Sequence, residues 1–160
     1  MYELQIIEAD LDRPDHAQAV VDLTDAYSRD PMGDGKPLDE DVRRRLIPGL
    51  KAHPTTHIFL AYEGDRAIGM ALCFRGFSSF YARPLINIHD LSVVPEARGR
   101  GVGRKLLEAV AAKGRALDCC KLTLETQDKN PARRLYESVG FARDVHVDDA
   151  GAAIFMTMKL

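Results

Sequence analysis

Apolar and polar residues alternate in YELQIIEA at 2–9, which predicts a first strand. From Pro14 to about Ser28 the period lengthens. Ala17, Val20, Val21, Leu23, Thr24 and Tyr27 then share one helical face. RDPMGDGKP at 29–37 holds two prolines and two glycines and reads as a loop. Asp39 is placed to cap a second helix running to about Lys51, with Val42, Leu46 and Leu50 on one stripe. Pro48 inside that stripe is expected to kink or shorten it. HIFLAYE (57–63) and RAIGMALCF (66–74) are strands joined by the hairpin turn Gly64-Asp65. LINIHDLSVV (85–94) is a third long strand, stopped by Pro95. A helix follows from Val102, with Val102, Leu106, Val110 and Leu117 stacked on one face. CKLTLET (120–126) is a strand, and Pro131 to Val139 a short helix ended by Gly140. FARDVHV (141–147) and AAIFMTMKL (152–160) make a closing hairpin around DDAG.

Strands and helices in that order predict an α/β fold. A mixed central sheet of about six or seven strands is flanked by about four helices, in one domain over residues 1–160. No internal repeat, linker or low-complexity stretch interrupts it.

Composition narrows the function classes. The formal net charge is −2, with 46% hydrophobic and 29% charged residues, the balance of an ordinary soluble domain rather than a nucleic-acid binder. No apolar run approaches the roughly 20 residues of a membrane span, and the N-terminus carries no signal pattern, so a cytoplasmic, membrane-free protein is expected. Cys73, Cys119 and Cys120 have no metal-ligand spacing, and adjacent Cys119 and Cys120 are poorly placed for a disulfide. Reduced structural thiols and no metal site are expected. Residues 1–41 hold twelve Asp or Glu against three bases. Two readings stand: a solvated acidic face with helix caps, or a surface that attracts a cationic substrate.

RGRGVGR at 98–104 follows the strand ending at Val94 and opens the next helix. A helix mouth offers N–H groups without internal partners and a partial positive charge, which suits an anion. Gly99, Gly101 and Gly103 keep side chains away from it. Arg98, Arg100 and Arg104 add charge that can pair with phosphate oxygens. The spacing Gly-x-Gly-x-Gly is not the dinucleotide fingerprint. Arg-Lys-Leu after Gly103 lacks the hydroxyl of a nucleotide-triphosphate loop. A pyrophosphate site and a plain glycine-rich turn with surface arginines both fit the turn alone.

The turn is accompanied by a second pattern. DLSVVPE (90–96), then Arg98-x-x-Gly101-x-Gly103, then a helix with Leu106 and Leu107, resembles the acetyl-CoA motif of the GNAT superfamily of N-acetyltransferases. NPARRLYESVGF (130–141) resembles that family's second signature, and the element order resembles it over nearly the whole chain. The resemblance implies a sheet splayed between its two central strands. It implies acetyl-CoA as acetyl donor without a metal, and direct transfer to a primary amine. The backbone of Leu91, Ser92 and Val93 would hold the pantetheine arm. The N–H groups from Gly99 through Val102 to Arg104 would hold the pyrophosphate.

By the same resemblance Tyr136 is the group facing the leaving thiolate. A phenol near pKa ~10 protonating a thiolate near ~8.5 is uphill by roughly 2 kcal/mol, so a hydrogen bond is its expected service. Glu125 stands where some relatives carry a catalytic glutamate. His89 is the other candidate base, with a pKa suited to neutral pH. Asp90 matches an acidic position of polyamine-type relatives, where His89 departs from their pattern. Neighbouring strand residues face opposite ways, so His89 and Asp90 share a face only if the strand bulges. The stretch from Asn130 to Tyr136 is one residue shorter than usual. Asn130 is therefore both a cofactor candidate and a plain helix cap. The loop 29–38 and GFSSFYARP at 76–84, with Phe77, Phe80 and Tyr81, are expected to line the acceptor pocket. The acceptor is expected to be a small polyamine-like or amino-acid-like amine, with a protein N-terminus or lysine as the alternative. A non-catalytic acyl-CoA sensor is the reading from another class. The family likeness also raises a homodimer paired through the closing strands.

Overall fold

Alternating strands and amphipathic helices assemble here as one sheet with helices on both faces. The computed structural model describes residues 3–144 and 154–160. In chain order the elements are β1 (Leu4–Glu8), α1 (Pro14–Arg29), α2 (Glu40–Ala52), β2 (Thr56–Glu63), β3 (Arg66–Ser78) and β4 (Arg83–Val93). A short 3-10 turn (Pro95–Ala97) then leads to α3 (Val102–Ala116), β5 (Leu122–Leu124) and α4 (Arg133–Val139). The sheet order is β1-β2-β3-β4-β5. The first four strands pair antiparallel, and β5 joins β4 in parallel after the α3 crossover.

The period of two along each strand sorts side chains between two cores. Phe59 and Ala61 of β2, Ala71 and Cys73 of β3, and Ile86 and Ile88 of β4 pack with Val102, Leu106, Leu107 and Val110 of α3. Ile58 and Leu60 of β2, and Met70 and Leu72 of β3, pack on the other face with Val20 and Leu23 of α1 and Leu50 of α2. The apolar stripes seen in the sequence are the buried faces of these helices. Gly69 lets α3 approach closely: a Cβ there would lie 3.1 Å from the Ser92 carbonyl oxygen and from Val102 Cγ1.

Several boundaries differ from the sequence reading. Pro48 sits inside α2, which runs on to Ala52, and Asp39 occupies the N-cap position without a side-chain cap bond. β3 and β4 extend as a hairpin out to the pair Ser78–Arg83, so the stretch 76–84, expected to line the acceptor pocket, is strand at 76–78 and 83–84 with a turn between. Arg83 is anchored there by the carboxylate and carbonyl of Asp118. The sheet has five strands among the described residues, not six or seven. β5 stops at Leu124, and neither 141–144 nor 154–160 forms a strand. The remainder of the expected closing hairpin, 145–153, lies outside the described residues. Apolar alternation makes a strand only where a neighbouring edge supplies hydrogen bonds, and β5 offers three residues of edge.

Most acids of residues 1–41 are spent in local pairs. Asp25 is buried and accepts from Arg29 Nε at 2.8 Å and from the Leu38 N–H at 2.9 Å, with Arg43 Nη1 at 3.2 Å. Asp15 meets Arg13, Asp12 meets Lys51, and Asp41 meets Arg44 and Arg45. Glu8 joins His57 and Lys113, tying β1 and β2 to α3. The paired, solvated reading of this stretch accounts for these acids better than an attracting surface does.

Leu106 is fully buried between α3 and the sheet. Leu106→Ala is expected to lower stability by about 2–5 kcal/mol, seen as a lower urea midpoint with an unchanged slope.

Candidate active site

The opening in the sheet lies where β4 outruns β5. Their pairing covers Ile86↔Leu122, Asn87↔Thr123 and Ile88↔Leu124, whereas β4 continues to Val93. Beyond the bulge at His89 the strand keeps β3 on one side from Asp90 to Val93 and, among the described residues, has no strand on the other. Backbone groups alternate between the two edges of a strand. With Val94 bonded to Ile68 of β3, Leu91 and Val93 turn theirs to the open side, where Arg98 already holds the Val93 carbonyl. The expected splay is between β4 and β5, the latter being the last strand of the described sheet rather than a central one.

A bulge starts the opening. Leu72 pairs with Asp90 and Cys73 with Ile88, leaving His89 as an extra residue. Ile86 and Ile88, then Leu91 and Val93, all pack on the α3 side. The three-residue step between Ile88 and Leu91 leaves both His89 and Asp90 off that face, toward α1 and α2. His89 is exposed, with its ring edge-on to Phe74 at 5.6 Å. Asp90 is half-buried, and burial raises its pKa against the opposing effect of His89.

The edge leads to the mouth of α3. Gly99 and Gly101 have φ of 73° and 83°, a left-handed conformation that other residues adopt at a cost. A Cβ at either would meet nothing within 4 Å, so these two are glycines for their backbone shape. Gly103 has another reason: a Cβ there would lie 2.9 Å from Leu135 Cδ2, where α4 rests on α3. The first N–H groups of α3, including that of Val102, point out of the helix mouth without intrahelical partners. All three arginines hold protein groups. Arg98 donates to the Val93 carbonyl at 2.9 Å and to Asp30 at 2.5 Å. Arg100 pairs with Glu63, and Arg104 donates to Ser138 Oγ at 2.6 Å.

Tyr136 of α4 is buried, edge-on to Phe141 at 6.1 Å between ring centres. Burial, with a smaller effect from Tyr27, pushes its phenol above the ordinary value. Tyr27 of α1 is itself raised by burial and then by the charges of Asp90 and Asp30. Tyr27, Asp90 and Tyr136 therefore sense one another across the opening. Tyr27 also borders a small cavity of about 20 Å³ beside Ser92, Val93 and Arg98. Ser92 Oγ, buried there, has no hydrogen-bond partner. Sequence reasoning counted Tyr27 as a packing position on an apolar helix face. Its spacing carried no other signal.

Other expected site residues lie elsewhere or are already engaged. Glu125 is exposed, one residue beyond β5. Asn130 Oδ1 accepts the Ala132 N–H at 2.9 Å in an Asx turn ahead of α4, whose N-cap position is Ala132 without a side-chain cap bond. Phe80 and Tyr81 are not brought to the opening. They sit at the tip of the β3–β4 hairpin, Phe80 92% exposed, beyond Arg83 at the other end of β4 from Asp90. At ~3.3 Å per residue that separation is roughly 20 Å. β3 runs on to Ser78, and Phe77 is carried outward with it. Cys73 is buried, which pushes its thiol up to about 12 and makes it a poor nucleophile. No helix among the described residues is long and apolar enough to cross a membrane.

Comparison with known proteins agrees with this geometry. An uncharacterised N-acetyltransferase, YhfO, of Bacillus subtilis is 36% identical over 99 residues, covering 59% of this chain and 66% of its own. A thialysine N-epsilon-acetyltransferase of Bos taurus is 33% identical over 79 residues, covering 49% of this chain and 46% of its own. The matches thus span less than two thirds of either relative. A crystal structure of a probable acetyltransferase superposes with a TM-score of 0.78 at 24% identity, over 96% of this chain and 99% of the other. The acetyltransferase (GNAT) family matches over residues 20–141, a stretch that includes the β4 edge, the glycine turn, α3 and α4. This chain belongs to the acetyltransferase (GNAT) family.

Proposed function

We propose that this chain, as one catalytic domain, transfers the acetyl group of acetyl-CoA to the primary amine of a small amino-acid-like or polyamine-like acceptor. The observation that carries the reading is the free edge of β4 from His89 to Val93, ending at the glycine-lined mouth of α3. The local residues fit the donor. Leu91–Val93 offer backbone partners for its amide-bearing arm. The orphaned Ser92 hydroxyl faces the same region, and the turn 98–104 offers N–H groups and open space to phosphates. Acetyl-CoA supplies an activated thioester. Everything else must come from this chain.

Two proton problems define the roles. An alkylammonium near pKa ~10.4 loses its proton at pH 7 at a cost of about 4.6 kcal/mol. Asp90, half-buried beside Tyr27, supplies a counter-charge that draws the ammonium in. His89, or Glu125 from the far side of the opening, accepts its proton. The freed nitrogen lone pair forms the C–N bond while the C–S bond breaks, and the sulfur leaves with its electron pair. Tyr136 faces that sulfur. Its raised pKa keeps it protonated and makes complete transfer to the thiolate harder still, so it donates a hydrogen bond. The Bos taurus relative, named for an N-epsilon amine, supports an acceptor whose amine ends a short apolar stem.

The first test is thiol release from acetyl-CoA across polyamines, amino acids, aminoglycosides and N-terminal peptides, with calorimetric binding alongside. Turnover on an amino acid or polyamine is expected. Turnover confined to peptides would replace the acceptor class, and binding without turnover would mark a sensor. Tyr136→Phe is expected to lower kcat at saturation by about tenfold or more, the value of one transition-state hydrogen bond near 1.4 kcal/mol. An unchanged kcat would remove Tyr136 from the chemistry.

The base is located by the acidic limb of the pH–rate profile, which is expected to move in His89→Gln or in Glu125→Gln. A limb that stays put in both variants excludes the pair. Asp90 carries a stability signature of its own. Its folded-state pKa is raised, so its ionised form costs stability. That cost is full above the folded pKa and disappears below the unfolded value near ~3.9. Asp90→Asn is therefore expected to raise Tm at pH 8, by about 3 °C, with the gain shrinking as pH approaches 4, while kcat/KM for the amine falls. A lower Tm at pH 8 would contradict this placement of Asp90.

A further inference from the structure

Arg98, which the sequence assigned to phosphate, is committed elsewhere in the structure. Its Nε donates to the Val93 carbonyl, at the last residue of the free β4 edge, at 2.9 Å. Its Nη2 donates to Asp30 Oδ2 at 2.5 Å. Asp30 is the C-cap of α1 and opens the loop to α2. Its other oxygen accepts the Met32 N–H at 2.9 Å. The Asp30 side chain is only 11% exposed, and Arg98 holds its carboxyl below the usual range. Moving Arg98 onto a phosphate would leave this carboxylate nearly buried without its cation, which is costly.

The loop that Asp30 begins is itself built back onto α1. The Gly33 N–H reaches the Asp30 carbonyl at 2.8 Å, and a Cβ on Gly33 would lie 2.3 Å from the Tyr27 carbonyl oxygen. Ser28 Oγ donates to the Lys36 carbonyl at 2.8 Å, and the Lys36 N–H returns to the Ser28 carbonyl at 3.2 Å. The Leu38 N–H closes the loop on Asp25. The segment 30–38 is thus one braced unit with the end of α1, next to Tyr27, and the Asp30–Arg98 pair ties it to the turn at 98–104.

We propose that Asp30 is a positioning residue: through Arg98 it holds the 30–38 loop, the end of β4 and the glycine turn in one geometry, so that binding at the turn and binding at the loop are coupled. This rests on the acetyltransferase reading above, with the donor at the turn and the amine beside the loop. Coupling of this kind is reciprocal, so either ligand tightens the other by the same factor. Planarity suits Arg98 to the task, since Nε and Nη2 hold the carbonyl and the carboxylate from separate corners of one rigid fork, a spacing that the single nitrogen of lysine does not reproduce.

The test is titration calorimetry with acetyl-CoA, followed by steady-state kinetics with the best amine of the panel. Asp30→Asn is expected to weaken acetyl-CoA binding roughly tenfold and to raise KM for the amine, with kcat at saturation within about twofold. Asp30→Glu keeps the charge and is expected to recover most of the affinity. Arg98→Lys should match Asp30→Asn, and the double variant should be no worse than either single one. Acetyl-CoA binding that is unchanged or tighter in Asp30→Asn overturns the proposal, because it would mean that Asp30 merely withholds Arg98 from the phosphates. A lowered melting temperature with unaltered affinity overturns it as well, leaving a plain structural tie. Should the unaltered protein bind no acetyl-CoA, the acetyltransferase reading falls and takes this proposal with it. Binding that only the Asp30 variants leave untouched removes the proposal alone.

Discussion

Beyond Ile88, β4 is bonded to β3 on one side, and on the other the parallel strand has ended. Much of what this protein can do depends on that parting. A backbone edge left unpaired at a sheet is ordinarily a liability, since its amide groups seek another chain. Here the open length is short, starts at a bulge and ends at a helix mouth. It suits one extended ligand bearing amides at one end and phosphates at the other better than a further strand. The bulge at His89 does a second thing: it turns two consecutive side chains, His89 and Asp90, to the same face.

Charge follows the same geometry. Most of the many acids early in the chain are neutralised by neighbouring arginines and lysines, which fastens α1 to α2 and both to the loop between them. Asp90 differs, because its burial is offset only by His89 nearby. Burial likewise raises the phenols of Tyr27 and Tyr136, so the groups titrating on this side of the sheet are held toward their neutral forms. The arginines of the turn show the reverse economy. Each is already held by the protein, Arg98 on Val93 and Asp30, Arg100 on Glu63 and Arg104 on Ser138, so the guanidiniums brace the backbone of the turn.

The elements, their order and their buried faces could be read from the chain because period, caps and turn residues are local. The hydrophobic stripes of 14–28 and 102–117 reappear as the contact faces of α1 and α3, and Gly64-Asp65 as the hairpin between β2 and β3. The glycines and arginines at 98–104 stood out for the same reason, since a helix mouth after a strand is a local event, whereas Tyr136 entered through the resemblance of 130–141 to a family signature. What local pattern misjudged was reach. The stretch 76–84 was expected to line the acceptor pocket, yet pairing across the hairpin carries β3 to Ser78 and starts β4 at Arg83. Phe80 and Tyr81 therefore stand at the far tip and not at the opening.

Sequence alone determined the fold class and the place of the glycine turn, since element order and turn residues rest on neighbours in the chain. Only the tertiary structure decided which distant residues meet. Tyr27 comes to border the cavity beside Ser92, Val93 and Arg98 because α1 packs on the sheet there. Asp30 finds Arg98 across 68 positions of chain. Gly103 is small because α4 lies on it, a requirement with no trace among its sequence neighbours. Contacts of this kind depend on how strands are ordered and where one of them ends, and no local periodicity encodes that.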